Sequence, residues 1–233
     1  MSSEKRQQSQ CIEKAEYDSP SSSGQQVPSY APPTPTPPAP PPRPPMGNPT
    51  PAGMFAFAGT MLLMAMYNLG AGGVTTPNVL VGMLIFAGGI AQFCVALMEF
   101  ANGNTLFATC FMTFSTFWFS YGAVLIPSFG VLSAYEADPA ELGRAIALYL
   151  FVWWITITML LISVIGKSKL FTALLTFASI AVLVLACGQY LNNRVLGIVG
   201  NAFLLVVCTE AYYIGLSGLL ASDPNALFLL PFF

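Results

Sequence analysis

Past residue 47 the chain is a succession of apolar runs separated by short polar joints. The runs cover 52–71, 78–98, 104–126, 143–165, 169–188 and 195–220. A stretch of about 20 apolar residues is what an α-helix needs to cross a hydrocarbon core. The pattern therefore predicts an all-α membrane protein with six transmembrane helices. The joints GGVTTPN, EFANGNT, GKSK and GQYLNNR are built from turn-forming residues. One longer connection, PSFGVLSAYEADPAELGR, joins the third and fourth runs. Its DPAEL reads as a helix start, with Asp138 as N-cap and Pro139 at the first helical position.

The first 46 residues follow different physics. MSSEKRQQSQCIEKAEYDSPSSSGQQ is polar and poor in large apolar residues, so it cannot bury enough surface to offset chain entropy and is expected to be disordered. PSYAPPTPTPPAPPPRPP follows, and proline at that density favours a stiff polyproline II spacer. PPRPP fits an SH3 or WW ligand and equally a solvated spacer. The start is charged rather than apolar, unlike a secretory signal peptide. The expected organisation is a proline-rich cytosolic tail over 1–46, a six-helix domain over 47–222 and a short C-terminal tail over 223–233.

Composition narrows the chemistry. Only 8% of residues are charged, against about 25% in a soluble domain. No basic patch points to nucleic acid. Histidine is absent, which removes histidine-based triads, the commonest proton shuttle and most zinc sites. The five cysteines, at 11, 94, 110, 187 and 208, form no CxxC pair, and four lie inside apolar runs. They read as small apolar fillers. No metal, cofactor or catalytic group is expected, and the chain does not read as an enzyme. Lys5, Arg6, Lys14, Arg43, Lys167 and Lys169 fall on one side of a six-span plan, with only Arg144 and Arg194 on the other. The positive-inside rule then places both termini in the cytosol.

A polar side chain inside lipid must face a partner or a wet cavity, so polar spacing indicates which helix faces turn inward. Phe57, Met61, Met64 and Asn68 share a face of the first span. Gly82, Gly89, Gln92, Ala96 and Glu99 form a small-and-polar stripe on the second. The third carries a hydroxyl stripe, Thr105, Thr109, Thr113, Thr116 and Ser120, and an aromatic one, Phe107, Phe111, Phe114, Trp118 and Tyr121. Each stripe has a plain packing alternative. Small residues let helices approach, and Thr or Ser can bond back to their own helix. Together they suggest a narrow, mostly apolar conduit. Two acids stand apart. Glu99 lies at a span end where water is reachable. Glu210 lies near the middle of the sixth span, where it must be protonated, paired or facing a cavity, with Tyr213 and Ser217 on its face as candidate partners.

NPTPAGMFAFAGTMLL resembles the NPxPxG entrance motif of the YaaH/SatP-type acetate uptake transporter family. GGIAQFCVALMEFANGNTLFATCFMTFSTFWFS resembles that family's second and third spans, through GGIAQ, a glutamate, GNT and FW in order. The similarity runs over roughly residues 47–220. It implies a six-helix protomer that assembles into hexamers and carries acetate and related small carboxylates, either coupled to protons, the expected partner ion, or in a channel-like manner. Ammonium export is linked to some fungal relatives. The entrance motif corresponds to Asn48, Pro49, Pro51 and Gly53, and the hydrophobic constriction to Phe57, Phe114 and Ala178. Asn68, Gln92, Glu99, Asn104, Thr105 and Glu210 are the polar candidates along the route. Asn104 is read as the cap of the third helix, whose N-terminus would attract an anion. The chain departs from the family pattern at Ala52 and Met54, where leucine is usual, at Phe114–Ser115, where bacterial members carry Tyr–Gly, and at Glu210.

Overall fold

The computed structural model describes residues 47–74 and 76–231. The expected disordered tail and its PPRPP segment lie outside the described residues. Six long helices follow in order: α1 (Thr50–Asn68), α2 (Asn78–Ala101), α3 (Thr105–Leu125), α4 (Pro139–Val164), α5 (Lys169–Tyr190) and α6 (Arg194–Ser222). No strand occurs among the described residues. Five of the six are long and apolar enough to cross a membrane. The remaining one, α3, is long enough but carries six Ser and Thr hydroxyls, which lower its hydropathy.

Helix ends obey the expected capping chemistry. Asp138 accepts from the backbone N–H groups of Ala140 and Glu141 at the start of α4, with Pro139 in the first turn. Ser168 caps α5 and Asn193 caps α6 in the same way. Gly103 turns the α2–α3 joint at a φ of 77°, a left-handed conformation that a side chain would strain. Asn104 departs from expectation. Its side chain makes no bond to the α3 backbone and donates instead to Glu99 Oε2 at 2.8 Å.

The helices run antiparallel to their chain neighbours. One end of the bundle, here the near end, holds Asn48, the 99–105 joint, Gly166 and Ser222. The far end holds the 68–78, 126–138 and 190–194 joints. α1 lies along α6, α6 along α5 and α5 along α4, while α2 pairs with α3 and both meet α1. α3 and α4 close the circuit through side chains, with Phe117 against Trp153 at 5.1 Å and Tyr121 against Tyr149 at 6.5 Å between ring centroids. Rings of that size hold the two backbones apart.

Glycine permits the close approaches, as expected where lipid provides no drive to bring helices together. A Cβ on Gly53 would stand 2.6 Å from Phe111, one on Gly88 2.5 Å from Trp118, and one on Gly89 2.5 Å from Phe119. The middle of α2, Met83–Ala91, is wound as a π-helix. Its widened turn releases carbonyls that hydroxyls on neighbouring helices reach. Ser115 donates to Gly89 at 2.9 Å, and Thr60 lies 3.4 Å from the carbonyl of Met83. The change of winding also corrects the stripe read from spacing. Gly89, Gln92, Ala96 and Glu99 are buried, but Gly82, on the other side of the π segment, is exposed.

The hydroxyl stripe of α3 does not face inward. Thr105, Thr109 and Thr116 are exposed on the surface of the protomer. Thr109 and Thr116 donate to carbonyls of their own helix at 2.7 Å, which satisfies each hydroxyl without a neighbouring helix, whereas half-buried Ser120 also meets the Tyr149 hydroxyl of α4 at 2.8 Å. The aromatic stripe takes the inner face, with Phe111, Phe114 and Trp118 buried.

Gly88→Ala is expected to lower the thermal midpoint of the detergent-solubilised protein, because overpacking costs about 1–3 kcal/mol. Gly82→Ala, where nothing lies within 4 Å of the new methyl, is expected to leave it unchanged. Equal midpoints for the two variants would contradict the close seat of Trp118.

Candidate functional site

A narrow cavity of about 70 Å³ occupies the far half of the bundle. A solute of a few heavy atoms fits such a volume, since one water needs about 10–15 Å³ in the same measure. α1 contributes Phe57, Met61, Met64 and Asn68, one residue per turn, so the face identified from spacing lines the cavity in full. α3 contributes Phe114, Phe117, Trp118 and Tyr121. α4 adds Trp153 among others, α5 adds Ala178 and Gln189, and α6 adds Leu204.

Phe57, Phe114 and Ala178, far apart in sequence, meet at the inner end of this cavity. The rings of Phe57 and Phe114 lie 4.8 Å apart, tilted by 44°, and Trp118 stands edge-on to Phe57 at 6.2 Å. On the near side of these rings the bundle is filled by Phe107, Phe111, Phe171 and Leu174, with Phe107 and Phe171 at 4.8 Å. Polarity rises toward the far end. Asn68 donates to Asn201 Oδ1 at 3.0 Å, Gln189 and Tyr121 stand in the wall, and none of the lining residues is charged. A second, wider recess of about 600 Å³ shares Tyr121, Ile146 and Gln189 with the cavity and has Arg144 in its wall, where it pairs with Asp138 at 3.3 Å.

The near end holds a separate polar cluster. Glu99 is only 2% exposed, so of the two plain readings of this acid, solvated or hydrogen-bonded at the helix end, the hydrogen-bonded one is observed. Its two oxygens accept from Thr50 Oγ1 and Asn104 Nδ2, tying together the start of α1, the end of α2 and the start of α3. The NPTPAG segment is assembled around this knot. Asn48 accepts from the Thr50 backbone N–H at 3.1 Å and reaches Ser222 of α6 at 3.4 Å. Pro51 packs on Gly218, and Gly53 lies beneath Phe111. Gln92 donates to the carbonyl of Gly53 at 3.4 Å. Thr105 is exposed beside the knot. Asn48, Pro49, Pro51, Gly53, Gln92, Glu99, Asn104 and Thr105 therefore sit outside the cavity wall, and Asn68 is the polar candidate that lines it.

Glu210 also lies outside that wall. The partnership expected with Tyr213 and Ser217 is not formed. Tyr213 donates to the carbonyl of Pro231 at 2.7 Å and Ser217 to that of Leu230 at 3.2 Å, so the chain after α6 turns back along the helix. Both hydroxyls are used by the backbone of a segment that no helical periodicity could place. Sequence reasoning also missed several lining residues. Gln189 lay in a joint with turn-forming neighbours, and Trp153 gave no periodic signal. Thr50 was hidden within the NPTPAG motif.

The architecture is that of a multi-pass membrane protein, a helical bundle around a small apolar cavity with polar side chains toward its far end. The chain belongs to the GPR1/FUN34/yaaH family, whose model matches residues 32–233. It is 31% identical over 185 residues to ammonia transport outward protein 2 of Saccharomyces cerevisiae, covering 79% of this chain and 66% of that one. It is 31% identical over 195 residues to acetate permease A of Emericella nidulans, covering 79% and 65%. The chain thus spans just under two thirds of the length of these curated relatives. The fold is similar to that of the bacterial acetate channel SatP, with a TM-score of 0.71 and 24% identity over 81% of this chain and 100% of that one.

Glu99→Ala is expected to cost about 1–3 kcal/mol of stability, because it leaves the buried donors of Thr50 and Asn104 unpaired. Glu99→Gln, which keeps one acceptor oxygen, is expected to cost less. Thermal midpoints of the purified variants test the order.

Proposed function

We propose that this protein moves acetate and related short-chain monocarboxylates across the plasma membrane, coupled to protons, through the cavity that ends at Phe57, Phe114 and Ala178. The observation that carries the reading is the cavity itself: small, apolar at the paired rings, amide-lined at the far mouth and free of charge along its wall. Family membership and the names of its relatives support acetate as the solute. An apolar neck obliges an ion to shed water, which is costly for a carboxylate and cheap for the neutral acid. Passage would then depend on protonation without a dedicated titrating residue in the wall.

In this reading all six helices span the bilayer, both termini are cytosolic, and protomers assemble as hexamers with a route through each. The near end faces the cytosol, and the knot around Glu99 holds its three helix ends together as a positioning device for α1. Ammonium export is the second reading. The name of the yeast relative favours it, as do the aromatic faces and amide oxygens of a wall without cations. A sensor acting through the proline-rich tail is the alternative of another class, and removing residues 1–46 separates it, since transport would survive the deletion.

Proteoliposomes test the solute and the neck together. The parent is expected to accumulate labelled acetate faster at pH 5 than at pH 7. Phe57→Ala and Phe114→Ala are each expected to admit succinate and to weaken the pH dependence. If both variants, folded and assembled, keep the parent's succinate-to-acetate ratio at both pH values, the neck lies elsewhere. Counter-flow of labelled methylammonium without acetate uptake would favour the second reading. For orientation, a cysteine at Ser133 in a background without native cysteines is expected to react with an impermeant reagent on intact cells. Labelling only after permeabilisation would reverse the topology.

A further inference from the structure

The wider recess at the far end is walled by the end of α3, the start of α4 and the joint between α5 and α6. It adjoins the cavity through Tyr121, Ile146 and Gln189, which stand in both walls. Leu132 and Asn192 in its wall are exposed, as is Gln189. At about 600 Å³ the recess has room for a small solute together with its water, whereas the cavity, at about 70 Å³, has room for little more than the solute.

Among the described residues Lys167 and Lys169 lie at the near end and Arg194 lines neither space, while Arg144 stands in the wall of the recess. Its side chain is half exposed, so water and small solutes reach it. A guanidinium carries five N–H donors in a planar fork. Among the described residues, its one partner is Asp138 Oδ2 at 3.3 Å, longer than the about 2.7–2.9 Å of a tight charge-assisted bond. Asp138 is anchored by its other oxygen, which caps α4 by accepting from Ala140 and Glu141. Glu136, Asp138 and Glu141, the carboxylates of this loop, are exposed and none lines the recess. The guanidinium is therefore loosely tethered, with most of its donors unengaged, beside a space whose other polar side chains, Tyr121, Gln189, Tyr190 and Asn192, are neutral.

We propose that Arg144 is the anion-capturing residue of an outer binding site: its guanidinium holds a short-chain carboxylate in the recess before the solute enters the cavity, and Asp138 competes with the solute for it. The inference rests on the carboxylate reading of the preceding section. Recess and cavity then divide the work. A carboxylate is held where it stays hydrated and meets a cation, and the apolar cavity beyond takes the neutral acid. An exposed ion pair in water is weak, so the solute is concentrated at the mouth without being trapped, as passage requires. A cation at this place repels ammonium.

Uptake of labelled acetate by proteoliposomes of the full chain at pH 7, where the solute is the anion, tests it. Arg144→Gln is expected to raise the KM about threefold with little change in maximal rate, the size of effect for an exposed ion pair. Asp138→Asn is expected to lower the KM about twofold, because asparagine keeps the capping oxygen and releases the guanidinium. Raising sodium chloride from about 0.02 M to about 0.5 M is expected to raise the parent's KM by screening and to leave that of Arg144→Gln unchanged. In a background without native cysteines, Arg144→Cys is expected to regain the parent's KM with a cationic thiol reagent and not with an anionic one. An Arg144→Gln variant with the parent's KM, or one whose KM follows salt as the parent's does, overturns the proposal and leaves the transport reading intact. So does an Asp138→Asn variant whose KM is not lowered, or equal rescue of Arg144→Cys by both reagents. If the parent takes up no acetate, the transport reading falls and the capture site falls with it. Should Arg144→Gln not fold, Asp138→Asn and the salt series on the parent decide.

Discussion

The seating of the aromatic face of α3 on glycines is the constraint from which the interior follows. Phe111 lies on Gly53 of α1, and Trp118 lies on Gly88 of α2. These two contacts, two helical turns apart, fix the rotation of α3 about its own axis. Phe114 lies between them on the same face and has one direction left, toward Phe57. A side chain larger than hydrogen at either glycine pushes α3 outward and opens the ring pair. Van der Waals fit sets this geometry, because inside a bilayer burial of apolar surface supplies no net drive between helices. The aromatic pairs add about 0.5–1.5 kcal/mol each.

Polar groups follow a second rule, which is that most find a partner within the protein. The π-wound middle of α2 releases carbonyls, and Ser115 and Thr60 of the flanking helices answer them. The threonines on the outer face of α3 bond to their own backbone. Glu99, the buried acid of the near end, is matched by two donors from two other segments.

The two polar ends of the bundle have different tasks. At the near end, Asn48, Thr50, Glu99 and Asn104 consume one another's hydrogen bonds, which holds helix termini together. At the far end, Asn68, Gln189 and Tyr121 stand in the cavity wall, and Tyr121 and Gln189 also line a wider recess. The NPTPAG motif is thus a clamp on the start of α1, the helix that carries Phe57.

Much of this was legible along the chain. Runs of twenty apolar residues have one solution in a bilayer, so the helices and their joints follow from length and turn chemistry. The face Phe57, Met61, Met64 and Asn68 could be read because α1 keeps a regular helical period. What the chain could not disclose depends on neighbours. Gly82 was placed on the wrong face because a π-helical segment changes the period, and its released carbonyls persist only where Ser115 and Thr60 meet them. Thr105, Thr109 and Thr116 of α3 point outward because a threonine is satisfied equally by its own helix or by another, and only packing decides which. Tyr213 and Ser217 looked like partners for Glu210 until the returning chain at Leu230 and Pro231 took both. Local periodicity determined the elements and one wall of the cavity. The placing of Phe57, Phe114 and Ala178 in one cavity wall was decided by tertiary contact alone, because it requires side chains from helices whose mutual rotation no single segment encodes.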